Sequence, residues 1–400
     1  MMLVGAVFGA AGGGWLTDRV GRKVSILYCC LLFIVGALVM ALAPSLGVLL
    51  AGRFVVGIGV ALSAIADIVY IAEIAPPSRR GALVTLNELS ITVGILGAYS
   101  INAILAETAG GWRWMFAASI VPAVLQGIGM LVLPASPRWL VQRGRDEEAR
   151  LVLLRIRKTQ MAAEKELEDV QRMVQISRDA SKTVRIWSRE VRGHLVIGVG
   201  LTFMQQFIGH ANVLSFAPDI LLRAGLSESV SLLATVGLGT VKVVATIASM
   251  WLVDRTGRRP LLLCGSVAIT FSLLAIAYAF VAEEGTPALA VAGLLAFVTA
   301  YALSWGPVGW LINSEIFPLA LRGQAVGVSS TVNWASNLVV SASFLSLLDA
   351  AGAPATFALY ALVSFASFLF LFHLLPETKG KSLEDVGKAI RLHPLLGRLI

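Results

Sequence analysis

Charge is scarce in this chain. Only 14% of its 400 residues are Asp, Glu, Lys or Arg, against roughly 25% in soluble domains, while 57% are apolar and the mean hydropathy is +0.81. A soluble enzyme and a disordered chain are both excluded. Cysteine is nearly absent: Cys29, Cys30 and Cys264 sit in apolar runs without metal-ligand spacing, so neither a disulfide framework nor a metal centre is implied. The histidines His194, His210, His373 and His393 are as scattered. No Gly-x-x-x-x-Gly-Lys phosphate cradle occurs, which leaves no engine for ATP-driven work, and no cofactor is expected. Asn-x-Ser/Thr acceptors are missing too. The formal charge of +8 is spread over loops between apolar spans, so a nucleic-acid partner is not its explanation; a lipid bilayer is.

What the chain has in quantity is apolar runs long enough to cross a membrane, about 20 residues each. They read as spans 2–17, 24–43, 47–71, 83–105, 114–134, 194–220, 226–253, 261–281, 287–313, 324–348 and 355–375, eleven in all. The predicted organisation is a bundle over 1–134, a polar linker over 135–193, a second bundle over 194–375 and a tail over 376–400. Within the linker, Asp146–Lys158 and Ala163–Ile176 read as amphipathic helices. The tail carries a capping pattern at Ser382 and Asp385. Alternate loops hold 28 of the 32 lysines and arginines, which places those loops and the C-terminus in the cytoplasm. Met1 then falls outside.

The sequence also repeats itself. Asp18-Arg19-Val20-Gly21-Arg22-Lys23 returns 236 residues later as Asp254-Arg255-Thr256-Gly257-Arg258-Arg259. Glu73 with Arg80-Gly81 returns as Glu315 with Arg322-Gly323, and Pro134 to Arg138 answers Pro376 to Gly380, both at an offset of 242. One unit is used twice, as is common in transporters. The span beginning near 194 has no counterpart after Met1, so the expected plan is twelve helices with the first missing from this chain.

These motifs, with Gln205-Gln206-x-x-Gly209-x-x-Asn212, Gly306-Pro307-x-x-Trp310 and Asn333-Trp334-x-x-Asn337, occur in one order along nearly the whole chain. That order resembles the sugar-porter branch of the major facilitator superfamily, in particular the facilitative glucose transporters of solute carrier family 2. Asn87-Glu88-Leu89 and Val241-Lys242-Val243 look most like their class III members. The resemblance implies an all-α integral membrane protein of two pseudo-symmetric helical bundles. It also implies facilitated diffusion of a hexose by alternating access, at the plasma membrane or an internal one. A proton-coupled sugar symporter, and a non-transporting form that binds full-length partners, are the alternatives.

A sugar is neutral and covered in hydroxyls, so its site needs amides that donate and accept, plus an aromatic face for its C–H surface. By resemblance, Gln205, Gln206, Asn212, Asn333 and Asn337 are hydroxyl contacts and Trp310 is the aromatic cover; amides that glue helices together are the competing reading. A spacing of seven predicts Gln205 and Asn212 on one helical face. Pro307 predicts a bend just before Trp310. Asp18, Arg19, Arg22, Lys23, Glu73 and Arg80 form one expected gating network. Asp254, Arg255, Arg258, Arg259, Glu315 and Arg322 form its repeat, with plain orientation charge as the alternative.

Several departures from the family pattern bear on the substrate. Glu88 and Lys242 fall where the better-known glucose carriers have sugar-contacting amides, and their opposite signs predict an ion pair across the interface between the two bundles. Arg53 and Asp67 are further charges inside spans, costly unless paired or wet. Arg53 is expected to snorkel or join a network, and Asp67 to pair with a motif arginine. Ala135 and Ala302 stand where a glutamate is usual, and Ser215-Phe216 replaces a paired aromatic.

Overall fold

In hydrocarbon a backbone can satisfy its hydrogen bonds only within helices or closed barrels, and this sequence, with 3.6-fold small-residue seams rather than alternation, takes the helical solution. The computed structural model describes residues 1–76, 80–157, 159–183, 188–282, 287–317, 322–379 and 390, and among them no strand occurs. The helices are α1 (Met2–Val20), α2 (Arg22–Ala41), α3 (Leu46–Ile74), α4 (Arg80–Leu105), α5 (Gly111–Ala118), α6 (Ile120–Val132), α7 (Pro137–Gln142), α8 (Asp146–Ile156) and α9 (Gln160–Thr183). They continue with α10 (Arg189–Phe207), α11 (His210–Ser215), α12 (Ala217–Arg223), α13 (Glu228–Thr256), α14 (Arg258–Ala279), α15 (Pro287–Leu303), α16 (Trp305–Ile316) and α17 (Arg322–Leu374).

The eleven expected spans all lie on these helices, but among the described residues eight continuous stretches are long and apolar enough to count as crossings. The difference has a local cause. The run over 194–220 is divided among α10, α11 and α12, α1 falls short of the apolar length, and the last two spans are joined in α17 across a kink at Gly352, whose φ is +79°. Ser382 and Asp385 of the tail lie outside the described residues.

The chain divides into two compact units. Unit 1 comprises Met1–Asn87, Ala109–Ser188 and Leu319–Trp334; unit 2 comprises Glu88–Thr108, Arg189–Pro318 and Ala335–Ile400. In unit 1, α1 and α2 pack on α3 through glycines that bring backbones together. A Cβ on Gly5 would overlap the Phe54 carbonyl oxygen, one on Gly57 the Met2 carbonyl oxygen, and Gly36 and Gly52 face each other across α2 and α3. Ala6, Ala10 and Ala61 fill the same seam, with Trp334 packed against them. Where lipid is as apolar as leucine, close approach of small residues is what holds helices together.

The linker forms its own apolar patch in unit 1. Leu140, Val141, Ala149 and Val174 are buried against one another, and Arg157 pairs with Glu166 at 2.5 Å. The two amphipathic segments are α8 and α9. Helix α7 starts on Ser136, whose hydroxyl accepts from the Trp139 N–H at 3.2 Å, with Pro137 at the first helical position.

Candidate functional site

The repeated charged motifs build the same device in each unit. Gly21 and Gly257 both turn the chain at positive φ, +92° and +94°, between consecutive helices. In unit 1 the Arg22 guanidinium reaches Asp18 at 3.0 Å and both oxygens of Glu73, at 3.0 and 3.1 Å, and Ser136 donates to Glu73 Oε2 as well. In unit 2 Arg258 reaches Glu315 at 3.3 Å, and Thr378 donates to Glu315 at 2.7 Å. Ser136 and Thr378 are repeat equivalents. The flanking cations serve carbonyls and rings: Lys23 donates to Leu131 and Leu133, Arg259 to Phe372, while Arg19 lies over Trp15 and Arg255 over Trp251. The side chains of Arg80, Asp254 and Arg322 lie outside those described.

One difference between the repeats is informative. Glu377 accepts from the backbone N–H groups of Arg258 and Arg259 at 3.1 and 3.0 Å, capping α14 with a carboxylate. Burial pushes this carboxyl up, but the N–H groups of Lys379, Arg258, Arg259 and Thr378 outweigh it and hold it below the usual glutamate range. Its equivalent in unit 1 is Ala135. Ala135→Glu is expected to give α2 the same cap and stabilise the protein by about 0.5–1 kcal/mol, read as a higher melting temperature in detergent.

Gln205, Asn212, Asn337, Glu88 and Lys242 belong to unit 2, where the helices have two interruptions. The first is at Gly209, φ +85°, where α10 has ended and α11 begins, and where a Cβ would meet the Tyr360 ring at 2.6 Å. This break corrects the expected shared face of Gln205 and Asn212, because a spacing of seven places two residues together only along an unbroken helix. Asn212 turns instead to α17, donating to the Val340 carbonyl at 2.8 Å and the Tyr360 hydroxyl at 3.2 Å. Ser341 then bridges the Asn212 and Asn337 amides at 2.8 and 3.1 Å.

The second interruption is at Ser304, between α15 and α16. Pro307 has no N–H to offer the Leu303 carbonyl four residues back, and Ser249 of α13 supplies the missing donor at 2.8 Å. Gln205 donates to the Trp305 carbonyl at 2.9 Å and is hydrogen-bonded to Tyr301. It passes so close to Gly309 that a Cβ there would stand 3.0 Å from its amide nitrogen. Gln205→Leu leaves the Tyr301 and Trp305 groups without this partner. It is expected to cost about 1–3 kcal/mol and to slow uptake more than Gln206→Leu, as measured by melting and initial rates.

Glu88, Lys242, His210 and Tyr301 come together beside this break. The Lys242 side chain is only 2% exposed, and its charge interacts with Glu88 and with His210. The Glu88 carboxylate is packed at Gly306, where a Cβ would be 3.4 Å from its oxygen. His210 lies flat on Tyr301, ring centroids 3.5 Å apart. Among the described residues no carboxylate lies within 4 Å of the Lys242 ammonium, so the pair acts across a gap rather than in contact. Trp310 is half-buried on α16. Asn333 is buried and belongs to unit 1, whereas Asn337, one turn on, belongs to unit 2. The sequence reading passed over His210, Tyr301 and Ser249, since isolated residues in apolar runs carry no spacing signal.

Arg53 sits over the Phe116 ring at 4.9 Å. Asp67 corrects the expectation of an arginine partner: the motif arginine Arg22 is taken by Glu73 and Asp18, and Asp67 accepts from Ser63 and from the Gln126 amide at 3.3 and 3.4 Å.

Comparison with known proteins agrees with this architecture. The family described as "Sugar (and other) transporter" matches residues 1–389. The chain belongs to that family. It is 39% identical over 393 residues to the putative metabolite transport protein YwtG of Bacillus subtilis, covering 98% of this chain and 85% of the other. It is 35% identical to the glucose transporter GlcP of Staphylococcus epidermidis, with 98% and 87% covered. Among solved structures, the proton:xylose symporter XylE of E. coli, bound to 6-bromo-6-deoxy-D-glucose, superposes with a TM-score of 0.84 at 31% identity over 97% of this chain and 87% of that one. The protein is therefore a multi-pass sugar transporter of the major facilitator superfamily. It works by alternating access and is not an enzyme.

Proposed function

We propose that this transporter carries a hexose by facilitated diffusion, with Gln205, Gln206, Asn212, Asn333, Asn337, Trp310, Glu88 and Lys242 at its sugar site and the two arginine–glutamate networks as cytoplasmic gates. The observation that carries the facilitative reading is the burial of Lys242, 2% exposed, in the same unit as Glu88, whose carboxylate packs at Gly306. An acid whose countercharge is built into the protein does not need a proton as its partner. The distribution of lysine and arginine supports a cytoplasmic C-terminus, and the segments around Glu88 and Lys242 support the class III glucose transporters as the nearest group. The polar, charge-rich stretch between apolar spans supports divisions at 134 and 193, and the end of the last span supports one at 375.

The test is made in proteoliposomes loaded with labelled glucose at equilibrium. When a proton gradient, acid outside, is then imposed, facilitated diffusion predicts no further accumulation. Net uptake against the glucose gradient would instead establish symport, the activity named for XylE.

A further inference from the structure

The mechanism sketched above leaves one buried acid unused. Asp67 lies seven residues before the end of the 29-residue helix α3, inside an apolar stretch, and is half-buried. Its partners are neutral. Ser63, one turn back on α3, and the amide nitrogen of Gln126 on α6 donate to it. The orientation of that amide is fixed from a third helix, since the Cys30 thiol of α2 donates to the Gln126 oxygen at 3.6 Å and leaves the nitrogen facing Asp67.

The described titratable groups around it do not offer a cation. On α2, Cys29 and Cys30 are buried beside Asp67, and Arg22 is held by Asp18 and Glu73. On α3 itself, Tyr70 donates to the Pro134 carbonyl, Glu73 belongs to the Arg22 network, and Arg53 covers Phe116. Helix α1 contributes Asp18 and Arg19 at its cytoplasmic end, α7 contributes Arg138, and α6 has no titratable residue. Among the described residues no basic group lies within 4 Å of Asp67.

A carboxylate in a bilayer without a cation is stable only while donors and some water serve it, and protonation removes the cost. The cluster accommodates both forms. Ionised, Asp67 accepts from Ser63 and Gln126. Protonated, it keeps the Gln126 bond on one oxygen, and its new O–H can donate to the Ser63 hydroxyl, which is acceptor as well as donor.

We propose that Asp67 is a proton-binding site, and that the carrier turns over in its protonated form. A proton from water forms an O–H bond on the carboxylate, and no other bond changes. Steps of the transport cycle that dry the site are then free of a buried charge. This rests on the reading of the chain as a sugar carrier, but not on whether that carriage is coupled.

The experiment measures initial glucose uptake by the full chain in proteoliposomes, with the same pH on both sides, from about pH 5.5 to about pH 8.5. Wild-type uptake is expected to fall on the alkaline limb, by about tenfold per pH unit where protonated Asp67 is the minor form. Asp67→Asn, a neutral mimic of the acid, is expected to give a flat profile at the wild-type acid rate. Ser63→Ala removes a donor to the ionised form and is expected to shift the midpoint to higher pH. A wild-type profile flat across this range, or an Asp67→Asn variant that keeps the wild-type slope, overturns the proposal. Glucose uptake in none of the three proteins at any pH would overturn the carrier reading on which it rests.

Discussion

Lys242→Ala is expected to be the most damaging single change in unit 2, and far more damaging than removing Lys242 and Glu88 together. Truncating the lysine leaves the Glu88 carboxylate packed at Gly306 without its countercharge; because the two charges are not in contact, the expected loss is smaller than the roughly 3–5 kcal/mol of a contacting buried pair. Removing both charges takes that penalty away. The measurement is a double-mutant cycle of Lys242→Ala, Glu88→Ala and the double variant, read both as melting temperature in detergent and as glucose uptake. An interaction energy near zero, with the two losses simply adding, would show that the charges act independently. The cycle also speaks to function. A pair that only holds helices together should move melting and uptake in parallel, whereas a pair at the sugar site should change uptake beyond what stability explains.

A second large effect is expected from Gly57→Val. The α1 backbone runs so close to α3 that the new side chain has no room between Met2 and Ala6, and rigid backbone on both sides cannot yield as a flexible side chain could. Overpacking in a closed core costs about 1–3 kcal/mol and occasionally more; here the obstacle is main chain, so the expected outcome is loss of a monodisperse protein on gel filtration. Gly12→Val on the same helix is the control. Nothing lies within 4 Å of a Cβ at Gly12, and that variant is expected to purify as the wild type does. Equal behaviour of the two would contradict the packing of α1 on α3 described above.

Much of this was legible in the sequence because membrane helices announce themselves by length and apolarity, and because a duplicated unit repeats its punctuation. The repeated motifs group Arg22 with Asp18 and Glu73, and Arg258 with Glu315, as the structure does. What the sequence did not reveal is where helices stop being straight. Pro307 announced a bend, but the interruption falls three residues earlier, at Ser304, where side chains from α10 and α13 supply donors to the released carbonyls. Gly209 lies inside a family motif, and its left-handed conformation turned Asn212 away from the face of Gln205. The partners of Asp67 are hidden for a related reason. Charge alone points to an arginine, whereas Glu73 and Asp18 already satisfy Arg22, and the donors that serve Asp67 are a serine and an amide that no charge pattern reveals.

The central claim is that this chain itself moves a hexose across a bilayer. Its most direct test is uptake of labelled D-glucose into proteoliposomes containing the purified 400-residue protein, with protein-free vesicles alongside. The account predicts saturable uptake that excess unlabelled D-glucose abolishes and excess L-glucose does not, since the amides and charges around Gln205 and Lys242 are proposed to read the arrangement of hydroxyls. Uptake no greater than in protein-free vesicles, or uptake that both enantiomers compete equally, would contradict it.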